Sequence, residues 1–162
     1  MRVALTGVRN RLAYEQELAK LDAELAAGQD AFGIAVVDLN DLKTTNDKYG
    51  HDCGNVSLLR ISNFICTVFA HSPVFRIGGD EFVVVLSDND FDKIENLVAE
   101  FRETLASQDA EEKLEPWERV SAAIGYALYD PNLDTDADSV FRRADKLMYE
   151  NKKQMKGDAG VR

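Results

Sequence analysis

The chain reads Gly78-Gly79-Asp80-Glu81-Phe82 between two short apolar stretches, residues 74–77 and 83–86. Paired glycines between strand-like segments predict a β-hairpin, because glycine accepts positive φ angles and lets a ligand approach the backbone. The two acidic residues would give this turn hard oxygen ligands for a magnesium-type cation. An ordinary solvated turn has the same composition. The rest of the chain must therefore decide between the two interpretations.

The composition is typical of a soluble globular protein. The chain has 162 residues, 45% of them hydrophobic and 30% charged, which suits one domain with a substantial core. No apolar run approaches the roughly 18 residues of a membrane span, and a signal-peptide pattern is missing. We expect no direct membrane contact from this segment. Cys53 and Cys66 lack a metal-type spacing, which predicts reduced thiols in a cytoplasmic protein.

The net charge limits the possible partners. The chain has 19 basic and 29 acidic residues, a formal charge of −10. A general nucleic-acid binder needs a basic surface, so this balance argues against nucleic acid as a partner and against a template-binding polymerase. A nucleotide triphosphate can still bind an acidic protein, provided that a divalent cation and a few lysines offset the local negative field.

Helical spacing of apolar residues predicts four helices, with their stripes packed in the core. The marked segments are 14–25, 58–68, 91–105 and 140–147. Thr135 and Asp138 have the spacing of a capping box ahead of the last helix.

Two further stretches predict strands, in addition to the hairpin. Residues 32–38 are nearly continuously apolar, which fits a strand covered on both faces, and residues 120–128 form another. The charged segment 108–118 predicts a surface loop. The order helix, strand, helix, hairpin, helix, strand, helix predicts an α+β fold, with a mainly antiparallel central sheet flanked by helices.

Two acidic residues stand at the ends of predicted strands. Asp38 ends the buried strand, and Asp80 lies on the hairpin. Strand pairing could bring both carboxylates within bridging distance of one or two cations, and such crowding is costly unless a metal neutralises it. A single acid at a strand end is usually a terminator, but two converging acids favour magnesium. Such a site suits nucleotidyl transfer, since metal ions hold a triphosphate and activate a hydroxyl.

Four blocks of sequence follow one another in a recognisable order. They are Leu5-Thr6-Gly7-Val8-Arg9-Asn10-Arg11; Asp38-Leu39-Asn40-Asp41-Leu42-Lys43 with Asn46-Asp47 and Gly50-His51; the pentapeptide 78–82; and Ala144-Asp145-Lys146-Leu147-Met148-Tyr149 with Lys152. This pattern resembles the GGDEF family, the diguanylate cyclases, over essentially all 162 residues. The resemblance implies a single domain over residues 1–162 with a ferredoxin-like palm of the nucleotidyl cyclase type.

The resemblance implies a metal site built on two strands. Asp38, the backbone carbonyl of Leu39 and Asp80 match the family's ligands for Mg²⁺ or Mn²⁺. Glu81 matches the second acid, which either binds the metal or activates the 3′-hydroxyl. Asp80 and Glu81 are therefore the candidate catalytic residues.

The same resemblance implies how GTP is held. Lys43 and Lys152 match lysines that contact the triphosphate, and Gly78-Gly79 match the glycines beside the substrate. Asn46 matches the asparagine that hydrogen-bonds guanine, since an amide both donates and accepts. Ordinary alternatives exist, an exposed cation for each lysine and a helix cap or turn for Asn46.

The resemblance also implies the reaction and its partners. Two domains, each holding one GTP, meet face to face, and the 3′-hydroxyl of each nucleotide attacks the α-phosphate of the other. The products are cyclic di-GMP and two pyrophosphates, so catalysis requires a homodimer. Fusion to a sensor or regulatory domain would raise the effective concentration of the pair. We expect the chain to be the catalytic fragment of a longer signalling protein.

One position departs from the family pattern where the base is recognised. The family's Gly-His-x-x-Gly-Asp is Gly50-His51-Asp52-Cys53-Gly54-Asn55 here. In the family the aspartate accepts hydrogen bonds from guanine N1 and N2, whereas the amide of Asn55 offers one acceptor and an NH₂ group. Three outcomes stay open: weakened GTP binding, tolerance of ATP because an amide complements adenine, or a degenerate domain that binds GTP or a partner as a non-catalytic regulator.

Overall fold

The computed structural model describes residues 7–161, except for the side chains of Asp88 and of residues 158–161. Leu5 and Thr6 of the first sequence block lie outside the described residues. The strands are β1 (Val8–Arg9), β2 (Gly33–Leu39), β3 (Val74–Arg76), β4 (Glu81–Leu86) and β5 (Ala122–Leu128). The helices are α1 (Arg11–Ala26), α2 (Leu42–Tyr49), α3 (His51–Val68), α4 (Asp88–Asp92), α5 (Ile94–Ala106) and α6 (Ala137–Val161). Short 3₁₀ turns cover Ser107–Ala110 and Pro116–Glu118.

The strands form one mixed sheet in the order β1-β3-β4-β2-β5. β2 pairs antiparallel with β4 and β5, β3 pairs antiparallel with β4, and β1 pairs parallel with β3. The predicted hairpin is formed by β3 and β4, with Val74 opposite Val84. The predicted α+β fold, with a mainly antiparallel sheet flanked by helices, is confirmed, and the architecture is palm-like.

β2 is buried on both faces, as its continuous apolar composition predicts. Ala35, Val37 and Leu39 belong to a core shared with α3 and α5, whereas Ile34 and Val36 belong to a core shared with α1 and α6. Each of these side chains is at most 1% exposed. Burial contributes roughly 25 cal/mol per Å² of apolar surface. The strand is thereby held rigidly, which positions the polar residues at its carboxyl end.

Two helices cover each face of the sheet. The buried residues of α3 and α5 include Leu58, Ile61, Ile65, Val98 and Phe101. The buried residues of α1 and α6 include Tyr14, Leu21, Val140, Ala144 and Met148. One member of the predicted stripes differs, since Leu147 is 46% exposed while Met148 beside it is buried. Within residues 7–161, no helix has both the length and the apolar content that crossing a bilayer requires.

Three of the differences from the sequence-based prediction concern the helices. α2 was not predicted because it has no buried residue and therefore no apolar periodicity. α3 begins at His51, well before its apolar stripe, after Gly50 with a φ of 95° separates it from α2. The capping box lies one residue later than predicted. Asp136 Oδ1 accepts from the Ser139 N–H at 2.9 Å, and the Asp136 N–H donates to Ser139 Oγ at 3.3 Å.

Gly125 lets α6 lie directly against β5. A Cβ there would stand 2.2 Å from Met148 N and 2.6 Å from the Ala144 carbonyl, both helix backbone atoms. We expect Gly125→Ala to lower the unfolding free energy by about 1–3 kcal/mol, because overpacking forces the strand and the helix apart. Urea denaturation measures the change. The matched control is Gly157→Ala on α6, where a Cβ meets no described atom within 4 Å; equal losses in both variants would contradict the prediction.

Candidate active site

Three acidic residues meet where β2 ends and β4 begins. Asp38 is directly opposite Glu81 in the antiparallel ladder, and the Leu39 N–H donates to the Asp80 carbonyl at 2.8 Å. Side chains at directly opposed positions have Cβ atoms about 5 Å apart. Asp80 repels the carboxylate of Asp38, and both repel that of Glu81. The structure therefore brings together the acidic side chains that the sequence singles out.

Burial and mutual repulsion raise the pKa values of Asp38 and Glu81. For Asp38, burial is the main cause, the Lys152 ammonium partly offsets it, and repulsion from Asp80 adds to it. For Glu81, burial again leads and a hydrogen bond with Asp145 adds to it, which raises the pKa to about 7. A cation among these groups would relieve the repulsion. The cluster therefore has the electrostatic character of a cation site.

Asp145 joins the acidic cluster from α6. Its carboxyl shares a hydrogen bond with Glu81, which requires one proton between the two groups. Asp145 belongs to the last sequence block, but the sequence alone did not predict a role for it. Its spacing from Lys152 could have revealed it, since seven residues make two helical turns and place both side chains on one face of α6.

The two candidate lysines occupy different environments. Lys152 Nζ lies 2.9 Å from Asp38 Oδ1, and the two side chains are only 19% and 17% exposed. Lys43 is 91% exposed and pairs with Asp47 at 3.6 Å, one turn along α2. The structure thus joins Lys152 to the acidic cluster, whereas Lys43 extends from the surface of α2.

A cavity of about 620 Å³ opens beside the acidic cluster. Its lining includes the turn from β2 into α2, Asp80, and three lysines, which are Lys43, Lys152 and Lys156. Asp41 precedes α2 with a left-handed φ of 63°, and its side chain makes no capping hydrogen bond within the described structure. The N–H groups of the first turn of α2 are therefore available to an anion. The lysines and this helix end suit a triphosphate.

The donor set fits a small divalent cation that is shared with a substrate. In the part of the chain that the structure describes, no group of three or more acidic, histidine or cysteine side chains is arranged to hold a metal ion by itself. Mg²⁺ generally takes one or two carboxylates and completes its octahedral shell with waters and substrate phosphates. Asp38 and Asp80 could supply these carboxylates, with the Leu39 backbone and Glu81 beside them.

The candidate base-recognition residues lie on α2 and α3, outside the lining of this cavity. Asn46 Oδ1 is buried and has no hydrogen-bond partner among the described residues. A Cβ at Gly54 would stand 1.7 Å from that oxygen, so only glycine admits the Asn46 side chain here. Asn55 follows Gly54 and is exposed. The two amides thus lie side by side at Gly54, with Asn55 exposed and Asn46 Oδ1 buried against the glycine.

Gly78 and Gly79 lie in the turn between β3 and β4. Their carbonyls accept hydrogen bonds from Arg76, from Nε at 3.2 Å and from Nη2 at 2.7 Å. Neither glycine has a positive φ, so this turn does not use the left-handed region that glycine can enter. A Cβ at Gly79 would meet no described atom within 4 Å. The open space at Gly79 would allow a ligand to approach the backbone closely.

The raised pKa of Glu81 predicts that stability depends on pH. Glu81 keeps its proton up to about pH 7 when folded but loses it near 4.5 when unfolded, so the unfolding free energy should fall as pH rises between these values. Solvent screening at this half-exposed group limits the fall to about 1 kcal/mol. Glu81→Gln should remove most of it and be more stable than wild type at pH 7.5 in metal-free buffer.

Urea denaturation across this pH range measures the effect. Glu103→Gln, at an exposed position of α5, is the control. If Glu81→Gln and Glu103→Gln show the same pH dependence as wild type, the pKa assignment is wrong.

Residues 4–158 match the family model described as diguanylate cyclase, GGDEF domain. The chain is 41% identical over 87 residues to diguanylate cyclase DgcS of Shewanella oneidensis, a match covering 53% of this chain and 29% of DgcS. It is 31% identical over 151 residues to diguanylate cyclase DgcP of Escherichia coli, covering 93% of this chain and 44% of DgcP. The chain thus spans less than half the length of these curated relatives.

A solved structure has a similar fold. The GGDEF domain of DgcB from Caulobacter crescentus, crystallised in complex with c-di-GMP, superimposes with a TM-score of 0.79 at 26% sequence identity. The superposition covers 94% of this chain and 87% of that domain.

Proposed function

This chain belongs to the diguanylate cyclase GGDEF-domain family, and we propose that it condenses two GTP molecules into cyclic di-GMP and two pyrophosphates. Family membership confirms the resemblance of the four sequence blocks. The observation that carries the proposed reaction is the gathering of three acidic residues, Asp38, Asp80 and Glu81, beside Lys152. Carboxylates next to a lysine-lined cavity suit metal-assisted nucleotidyl transfer.

Asp38 and Asp80 hold a divalent cation, Mg²⁺ or Mn²⁺, together with the Leu39 carbonyl. Such a cation neutralises the triphosphate and lowers the pKa of an attacking 3′-hydroxyl. Lys152 binds the phosphates from the buried side of the cavity, and Lys43 binds them from the exposed end of α2. A compact ammonium on a flexible stem suits a mobile phosphate chain.

Glu81 has two possible roles beside this site, binding the cation or accepting the proton of the 3′-hydroxyl. Its pKa is about 7 in the cation-free protein, and a cation at Asp38 and Asp80 would lower it and so favour the carboxylate that accepts a proton. Asn46 and Asn55 contact the base, and the open space at Gly79 admits the nucleotide next to the hairpin.

The reaction requires two copies of the chain. Each copy supplies one cation and triphosphate site, and closing the ring needs a second nucleotide in line with the first. We therefore propose a homodimer with its two nucleotides face to face. We further propose that the chain acts in the cytoplasm as the catalytic domain of a longer signalling protein. The sensor or regulatory domain of that protein would set the effective concentration of one catalytic domain near the other.

Asn55 favours a second candidate function. A domain that lacks the guanine-accepting carboxylate would bind GTP weakly, accept ATP, or act as a regulator that binds GTP or a partner without turnover.

Incubation with GTP or ATP plus Mg²⁺, with products identified by mass spectrometry, separates the candidates. Cyclic di-GMP from GTP supports the cyclase. Nucleotide binding without any cyclic product at high protein concentration overturns it in favour of the regulator.

A further inference from the structure

Lys152 neutralises one of the two carboxylates that the proposed function assigns to the cation. Its Nζ contacts Asp38 Oδ1 at 2.9 Å, and both side chains are more than four-fifths buried. Apart from this ion pair, Asp38 Oδ1 has no hydrogen-bond partner among the described residues. A buried carboxylate without a positive partner is costly. Lys152 supplies that positive partner when no metal is present.

The same lysine also lines the cavity that suits a triphosphate. Its flexible four-carbon stem lets the ammonium move between two partners on the same side of α6. The ammonium cannot stay at Asp38 once a divalent cation binds there, because the two positive charges would repel each other at contact distance. It can then pair with the triphosphate instead.

We propose that Lys152 is an exchangeable internal counter-ion, which pairs with Asp38 in the free protein and moves to the triphosphate when a divalent cation takes its place. The inference rests on the proposed function, since it uses the same cation and triphosphate sites. It assigns Lys152 a second role, in addition to phosphate binding. No bond is made or broken; only the partner of the ammonium changes.

The exchange couples cation and triphosphate binding. A cation that binds first must displace Lys152 and leave the ammonium without a partner. A triphosphate that binds first must draw Lys152 away and leave Asp38 uncompensated. When both bind together, each charge has a partner, so each ligand raises the affinity for the other by the same factor.

The first test measures Mn²⁺ binding to the nucleotide-free protein by electron paramagnetic resonance. We expect Lys152→Gln to bind Mn²⁺ about tenfold more tightly than wild type, because the cation no longer has to break one charge-assisted hydrogen bond at Asp38. Lys156→Gln is the matched control, because Lys156 lines the same cavity but is exposed and carries the same charge. An unchanged affinity in Lys152→Gln, or an equal gain in Lys156→Gln, overturns the proposal.

The second test uses wild-type protein, so it does not depend on the folding of a variant. Reductive methylation followed by mass spectrometry reports the accessibility of the Lys152 amine, with Lys113, exposed and outside the cavity, as the internal control. We expect Mn²⁺ alone to increase Lys152 labelling several-fold and Mn²⁺ with GTP to suppress it again. Labelling of Lys152 that does not respond to Mn²⁺ overturns the exchange.

These readouts separate the inference from the proposed function. If Mn²⁺ binding releases Lys152 but no cyclic product forms, the exchange is supported and the cyclase function is refuted. If cyclic di-GMP forms but the labelling of Lys152 does not respond to Mn²⁺, the cyclase function is supported and the exchange is refuted.

Discussion

Asp80→Ala is expected to abolish cyclic di-GMP formation, with a loss of about 10³-fold or more in kcat. Asp80 directly precedes β4, and its carbonyl accepts a hydrogen bond from the Leu39 N–H. Its carboxylate repels those of Asp38 and Glu81. Without it the cation keeps one strand-end carboxylate, and several kcal/mol of transition-state stabilisation are lost. Mass spectrometry of the products from GTP and Mg²⁺ measures the loss.

Stability provides the internal check on this variant. Because Asp80 repels the partly buried carboxylates of Asp38 and Glu81, its removal should leave the metal-free protein at least as stable as wild type. Loss of product from a protein that unfolds at the wild-type urea concentration therefore identifies a chemical role. Glu103→Ala, on the exposed surface of α5, should keep full activity. Asp80→Ala protein that retains more than a tenth of the wild-type rate would contradict the proposed site.

The parts of the fold that apolar pattern determines were predictable. β2 was predicted at 32–38 and is observed at Gly33–Leu39, because continuous apolar residues are buried between two helix layers. The hairpin of β3 and β4 and the stripes of α3 and α5 follow from the same physics. Where apolar pattern is weak, prediction failed. α2 buries no side chain, and β1 has only two residues, too few for an alternation to appear.

The acidic site was predictable in part for a related reason. Asp38 and Asp80 each end or precede a strand, and the observed register places Asp38 opposite Glu81. Register is a property of the assembled sheet, so the sequence could suggest this meeting without specifying it. Asp145 and the pairing of Lys152 with Asp38 depend on how α6 packs across the sheet. That packing is set by the close approach at Gly125, which no local pattern reports.

The second large effect concerns the choice of base. Asn55→Asp is expected to raise kcat/KM for GTP by about 10- to 100-fold, because a carboxylate accepts from both guanine N1 and N2 and a charged hydrogen bond is worth roughly 1.5–3 kcal/mol. The rate with ATP should fall, since the carboxylate loses the donor that complements adenine. Initial rates with each nucleotide at saturating Mg²⁺ give the change in selectivity.

The position of Asn55 allows this substitution without a change in the packing around it. Its side chain is exposed on α3 and follows Gly54, against which the Asn46 amide packs, so a carboxylate there needs no repacking. Asn63→Asp adds the same charge at an exposed position two turns further along α3 and should leave selectivity unchanged. Equal effects of the two substitutions would show that only net charge matters.

The wild-type rate and the Asn55→Asp rate together distinguish the three outcomes that Asn55 leaves open. A measurable GTP rate that rises in the variant shows a cyclase with weakened guanine recognition. A wild type that turns over ATP as well, with that activity lost in the variant, shows relaxed base choice. A wild type without product, in which Asn55→Asp restores cyclic di-GMP, shows that the metal and phosphate sites are intact and that base recognition alone has degenerated. Unchanged selectivity between GTP and ATP in the variant would mean that position 55 does not read the base.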